Sequence, residues 1–180
     1  MIMSRFLFRV FGSHRTKFIF TSRHPVANAM SQLETGNVRY DRRNLRDLVL
    51  HWIRQHEILF EDMKFLPRGR VRIISLNEIA TRPREVITEL WNWILQDEEE
   101  EGIGDEKDRL LLEHSIRTHV HSEDPDRKWR EKFCEEQKQS RIKREEFAAL
   151  VRDYEDQIST LVGPGWFSLK RWGESCSTTP

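Results

Sequence analysis

Arg23 and Ser31 are the residues whose types and spacing suggest chemistry, within the stretch Phe18-Ile-Phe-Thr-Ser-Arg-His-Pro-Val-Ala-Asn-Ala-Met-Ser31. Lys17 to Ser22 is an apolar run rich in strand formers and reads as a buried strand. Pro25 lacks an N–H and has φ fixed near the helical value, so it suits the first turn of a helix. That helix is expected to run to about Thr35, with Gly36-Asn37 behind it. Arg23 then falls where a parallel strand ends, the edge at which open α/β sheets bind ligands. The helix that follows would turn free N–H groups and its positive dipole end toward the same crevice. Ser31 lies six residues beyond Pro25, roughly 9 Å along a helix that rises about 1.5 Å per residue. A guanidinium fork, a helix terminus and a hydroxyl together make a phosphate clamp. The same residues also read as an Arg paired with a carboxylate and a Ser that only packs.

Other reactive side chains give weaker signals. His24, His51 and His56 are candidate bases. His24 sits at a strand–helix junction, where capping is the usual role, and His56 lies on an apolar stripe, where a satisfied core histidine is expected. His114, His119 and His121 are not accompanied by a Cys pair or an HExxH motif, so no metal is expected. Cys134 and Cys176 are two thiols far apart in sequence. They exclude a disulfide-dependent scaffold and permit a reducing compartment.

The elements that must position Arg23 are legible in part. After Asp41, Leu45, Leu48, Val49, Trp52, Ile53, His56, Leu59, Phe60 and Met63 recur at steps of three and four, which predicts one long amphipathic helix. Asn44, with Asp47 three residues on, can cap an inner start. Pro67 and Gly69 end it. Arg70 to Ser75 reads as a second buried strand. Pro83 opens a helix with Val86, Ile87, Leu90, Trp91 and Ile94 on its apolar side. Strands separated by long helices imply a parallel sheet with crossovers. Residues 97–104 begin with five acidic residues and read as a surface loop. A helix around Lys107 to Arg117 and another from Phe147 to Leu161 follow, and the tail from Glu174 to Pro180 reads as frayed.

The 180 residues hold 30 basic and 30 acidic side chains, so the net charge is zero. The charge is unevenly spread. Residues 1–96 carry 16 basic and 9 acidic side chains, and the first 46 alone carry 9 against 2. A small anion therefore suits the N-terminal part, while the neutral whole does not suit nucleic acid. No apolar run approaches the roughly 20 residues of a spanning helix, so no transmembrane segment is expected. Met1 to Gly12 is basic, aromatic and free of acid. It reads as an amphipathic helix with Phe6, Leu7 and Val10 on one face, or as a transit peptide.

The order strand, Arg23, Pro25, Ser31 resembles the 3′-phosphate-binding segment of sulfotransferases that use 3′-phosphoadenosine 5′-phosphosulfate (PAPS). The likeness extends over about residues 15–167. It includes Trp52 with His56-Glu57, the strand Val71 to Ser75, Asn77-Glu78-Ile79 with Arg82-Pro83, Lys128-Trp129, and Gly165-Trp166-Phe167. The resemblance implies that Arg23 and Ser31 hold the nucleotide's 3′-phosphate and that PAPS is the co-substrate. The acceptor would be a carbohydrate, protein or small molecule. The chain departs from the family where Leu76-Asn77-Glu78 replaces Tyr-Glu-Asp and where Arg127-Lys128-Trp129 replaces Arg-Lys-Gly. Only 22 residues precede Arg23, and no phosphosulfate loop or GxxxxGKS motif is present. The expectation is an α/β fold with a partial P-loop-like parallel sheet flanked by helices and a helix-rich C-terminal part. It would be a single, incomplete sulfotransferase-like domain over residues 1–180 with its catalytic residues unknown. The alternatives are a non-catalytic anion- or nucleic-acid-binding module and a degenerate interaction protein.

Overall fold

A computed structural model describes residues 3–12, 16–34, 44–67, 69–95, 110, 114, 124–163 and 167–176. Within them the chain is mostly helical, with one small parallel sheet. The elements in chain order are α1 (Met3–Phe11), β1 (Phe18–Ser22), α2 (Pro25–Glu34), α3 (Leu45–Met63), β2 (Val71–Ser75), α4 (Leu76–Thr81), α5 (Pro83–Leu95), α6 (Arg127–Lys138), α7 (Arg144–Val162) and α8 (Leu169–Glu174). They divide into two compact units.

One unit spans residues 23–64 and 126–180 and holds α2, α3, α6, α7 and α8. Its core is continuous. Val26, Ala27, Ala29 and Met30 of α2 join Leu48, Val49, Trp52 and Ile53 of α3. Phe133 of α6, Phe147, Leu150 and Ile158 of α7, and Leu169 and Trp172 of α8 complete it. The three-and-four spacing in α3 supplies the apolar face that burial requires. Asn44 caps α3, its side-chain oxygen accepting from the Asp47 N–H at 2.9 Å, as its position before the periodic run predicts. Gly163 ends α7 at φ +91°, a backbone conformation that glycine adopts without steric cost.

The two cysteines belong to this unit and correct the sequence reading. Cys134 of α6 and Cys176, just beyond α8, form a disulfide. They are separated by 42 residues, so nothing local in the sequence pairs them, and they meet only because α6 and α8 pack on the same core. Of the tail expected to fray, Glu174 belongs to α8 and Cys176 is tied by the disulfide, while residues 177–180 lie outside the described residues.

The other unit spans residues 2–22 and 65–125. β1 and β2 pair in parallel, with Phe18 opposite Val71 and Ser22 opposite Ser75. The parallel pairing follows from the long crossover between the strands. Both strands were expected to be buried, yet Phe18 and Phe20 are half-buried and Ile19 is exposed. Among the described residues the sheet has two strands, so each is an edge and covers only one side of the other. Trp93 of α5 anchors this unit. Its indole N–H donates to the Gly69 carbonyl at 2.8 Å, and the Lys17 ammonium donates to the carbonyls of Trp93 and Ile94. Ser75 and Glu78 form a reciprocal capping box that starts α4. The acidic stretch 97–104 and nearly all of the helix expected over 107–117 lie outside the described residues.

Candidate functional site

Arg23 directly precedes α2 and is fixed from both its backbone and its side chain. The indole N–H of Trp52, on α3, donates to the Arg23 carbonyl at 3.1 Å. The Arg23 Nε donates to Asp126 Oδ1 at 2.7 Å. The guanidinium carbon lies 5.7 Å from the centre of the Trp129 ring, within cation–π range. The Arg23 side chain is 23% exposed and that of Asp126 is 9% exposed.

Asp126 stands at the N-cap of α6, where an Asp ordinarily accepts a hydrogen bond from the helix's first turn. Here the side chain makes no capping bond and points to Arg23. Burial pushes its carboxyl above the ordinary Asp value, and the hydrogen bond and charge of Arg23 oppose that shift. The pairing of Arg23 with a carboxylate is therefore present. The phosphate reading must accommodate it, because an anion at Arg23 shares the guanidinium with Asp126.

The start of α2 differs from the expectation of open N–H donors. His24 Nδ1 accepts from the Val26 N–H at 3.2 Å, and the His24 carbonyl accepts from the Asn28 N–H at 2.9 Å. Pro25 has no N–H to offer. His24 thus caps the helix. Because Nδ1 is the acceptor, the proton resides on Nε2, which donates to the Ser168 carbonyl at 3.2 Å. The ring stacks on Trp172 at 4.2 Å and meets Phe167 edge-on at 5.7 Å. Burial, aided by the nearby positive charge of Arg130 and opposed by the Ser168 carbonyl, lowers its pKa to about 4. His24 is accordingly a neutral structural residue with both ring nitrogens engaged, and it is poorly placed for base catalysis.

Ser31 lies on α2 on the partly exposed side it shares with Asn28, while Ala27 and Met30 are buried. About two helical turns separate Arg23 from Ser31 along α2. His56 is half-buried and stacked on Trp52 at 3.6 Å, with Nδ1 2.9 Å from the Trp52 carbonyl. Its pKa is lowered by burial. His51 lies elsewhere, lining a recess of about 510 Å³ with Asp47, Leu50, Ile53, Arg54, Glu57 and Gln157. A second recess, of about 320 Å³, is lined by Arg127, Arg130 and Glu131 among others. Neither recess includes Arg23 or Ser31 in its lining.

Sequence reasoning missed Asp126 and Glu155, and it named Trp129 only as part of the resemblance, without a role at Arg23. The Glu155 carboxylate accepts from Ser168 Oγ at 2.6 Å and from the Leu169 N–H at 2.7 Å. It holds the start of α8, and with it the carbonyl that orients His24. Among the described residues, no group of three His, Cys, Asp or Glu side chains is arranged to hold a metal ion. No described helix is long and apolar enough to cross a membrane. No family model matches the chain, and no curated protein or solved structure matches it.

Proposed function

We propose that this chain is a sulfotransferase-like protein that grips the 3′-phosphate of PAPS or of its bisphosphate product. Arg23 is the charged contact and Ser31 the hydroxyl donor. The proposed chemistry is transfer of the sulfuryl group to a hydroxyl or amine of a carbohydrate, protein or small molecule. The proposed fold is a P-loop-like α/β arrangement to which the parallel β1–β2 pair belongs. No residue is assigned as the catalytic base.

One observation supports this reading above the others. Arg23 is preorganised: Trp52 holds its carbonyl, Asp126 holds its Nε and Trp129 lies beneath its guanidinium. An arginine fixed in this way loses little side-chain entropy on meeting a phosphate and presents a planar fork suited to it. Ser31 lies about two helical turns along the same rigid helix. The side chains carry the clamp, since His24 takes up the first-turn N–H groups of Val26 and Asn28.

Calorimetric titration with 3′-phosphoadenosine 5′-phosphate tests the reading. The wild type is expected to prefer the 3′,5′-bisphosphate over adenosine 5′-phosphate. Ser31→Ala is expected to weaken binding at least about tenfold, as loss of one hydrogen bond to a charged group predicts. Arg23→Ala is expected to abolish it. A folded wild type that ignores the bisphosphate at millimolar concentration overturns the reading. A steep salt dependence with no preference for the 3′-phosphate assigns the site to nucleic acid instead.

A further inference from the structure

The least explained surface of the molecule lies on α1, well away in sequence from the Arg23 cluster. Phe6 is 58% exposed, Val10 56% and Phe11 59%. A scattered exposed apolar residue is ordinary, but three within one nine-residue helix form a patch. At 100° per residue, Phe6, Val10, Leu7 and Phe11 follow one another around a single apolar arc, with Leu7 half-buried between the exposed Val10 and Phe11. Arg9 is exposed and borders that arc beside Phe6. Gly12 stops the helix at φ +83°, its N–H donating to the Phe8 carbonyl at 3.1 Å.

The stretch of sequence that contains α1 carries charge of one sign. From Met1 to Leu33 the sequence carries Arg5, Arg9, Arg15, Lys17 and Arg23 and no acidic residue. We infer that α1 lies flat on an anionic lipid surface. Phe6, Val10 and Phe11 enter the boundary between headgroups and acyl chains, and Arg9 meets lipid phosphates. Aromatic and aliphatic residues on one face, with arginine at its edge, are what interfacial helices use. The charge argues against a second copy as the occupant. An isologous contact through this face would bring two acid-free, arginine-bearing helices together.

Flotation of the full chain with lipid vesicles tests the inference. Vesicles of phosphatidylcholine with one third phosphatidylserine are compared with phosphatidylcholine alone, at low and high salt. Binding is expected only to the anionic vesicles and should fall at least tenfold at high salt, as surface charge attraction is screened. The Phe6→Ser/Phe11→Ser double variant should lose at least tenfold in binding with an unchanged melting curve, because both side chains already face outward. Arg9→Glu should lose about tenfold. Equal binding to neutral vesicles overturns the inference, as does unaltered binding by these variants. So does a dimer in sedimentation that the same variants dissociate without any binding to vesicles.

Discussion

His24 lies nearly flat against Trp172, with ring centroids 4.2 Å apart and planes inclined by 19°. The stack joins the residue that caps α2 to the short helix α8, and it sits one residue from Arg23. The tautomer is set on both sides, by the Val26 N–H and by the Ser168 carbonyl. Protonating Nδ1 would remove the cap and place an unsolvated charge in the core, so the fold favours the neutral ring.

This preference gives acid lability with a defined sign. The folded pKa of about 4 lies below the ordinary histidine value of 6.5. Between these pH values the unfolded chain binds a proton that the native state does not. The contribution is therefore fully present above about pH 6.5 and is lost as pH falls toward 4. At about 1.4 kcal/mol per pH unit it amounts to about 3 kcal/mol. Urea unfolding at pH 7.5 and 4.5 should show His24→Asn losing less stability on acidification than the wild type, by about that amount. Asn retains a side-chain acceptor for the Val26 N–H. Identical losses would remove His24 from the account.

The Arg23–Asp126 pair predicts the opposite trend for a charge deletion. Arg23 restrains the upward shift that burial imposes on Asp126. Arg23→Met therefore raises the Asp126 pKa further. At low pH Asp126 is protonated and the variant suffers little. As pH rises past the ordinary Asp range, the variant must either keep its proton or bury an uncompensated charge. The deficit against wild type should reach about 2 kcal/mol at pH 7, less than for a fully buried pair because Arg23 is partly exposed. Denaturant midpoints measured from pH 4 to 7 check it, and a pH-independent deficit would contradict it.

Asp126→Asn separates binding from stability. If a phosphate reaches Arg23, the Asp126 carboxylate repels it and competes for the guanidinium. Neutralising Asp126 should tighten binding of 3′-phosphoadenosine 5′-phosphate about fivefold. Titration at constant ionic strength measures this. Weaker binding would mean that Asp126 positions Arg23 more than it competes for it.

Much of this arrangement was legible locally and the decisive parts were not. Pro25, Pro83 and Asn44 act within one helical turn of themselves, and each begins or caps a helix where local rules place it. The Ser75–Glu78 capping box that starts α4 follows an equally local rule, a Ser followed three residues later by Glu, which went unread. In α6 only Trp129, Phe133 and Cys134 are buried, amid charged residues. Its periodicity is therefore thin, and its packing on the core supplies what the pattern lacks. Arg23 and Asp126 are 103 residues apart, so only tertiary structure brings them together. The half-buried β1 has a similar origin. An apolar run predicts a strand, while the number of neighbours that cover it is a property of the whole sheet.

The disulfide makes its own prediction. It closes a loop of 42 residues, for which chain entropy gives about 4 kcal/mol. Reduction, or the Cys134→Ala/Cys176→Ala pair, should lower stability by about 2–4 kcal/mol. Because Trp172 of α8 stacks on His24, the loss should be accompanied by a change in near-ultraviolet circular dichroism from the tryptophans. Thiol titration before and after unfolding, without reductant, establishes the pairing. Two thiols that titrate in the native protein would refute it.

Gly173 offers the sharpest test of the packing between α7 and α8. A methyl group built on its Cα would lie 2.8 Å from Cε1 of Phe147, closer than carbon atoms tolerate. Phe147 is buried and meets Phe133 edge-on at 4.8 Å, so its ring cannot withdraw without disturbing a second aromatic. The helix propensity gained by replacing glycine with alanine is about 1 kcal/mol, and overpacking a filled core costs about 1–3 kcal/mol. Gly173→Ala should therefore be destabilising by about 1 kcal/mol net. Phe147→Leu in the same chain should relieve the clash, so the double variant loses less than the two single changes added together. A thermal-unfolding double-mutant cycle measures that coupling, and strict additivity would show that α8 packs on α7 elsewhere.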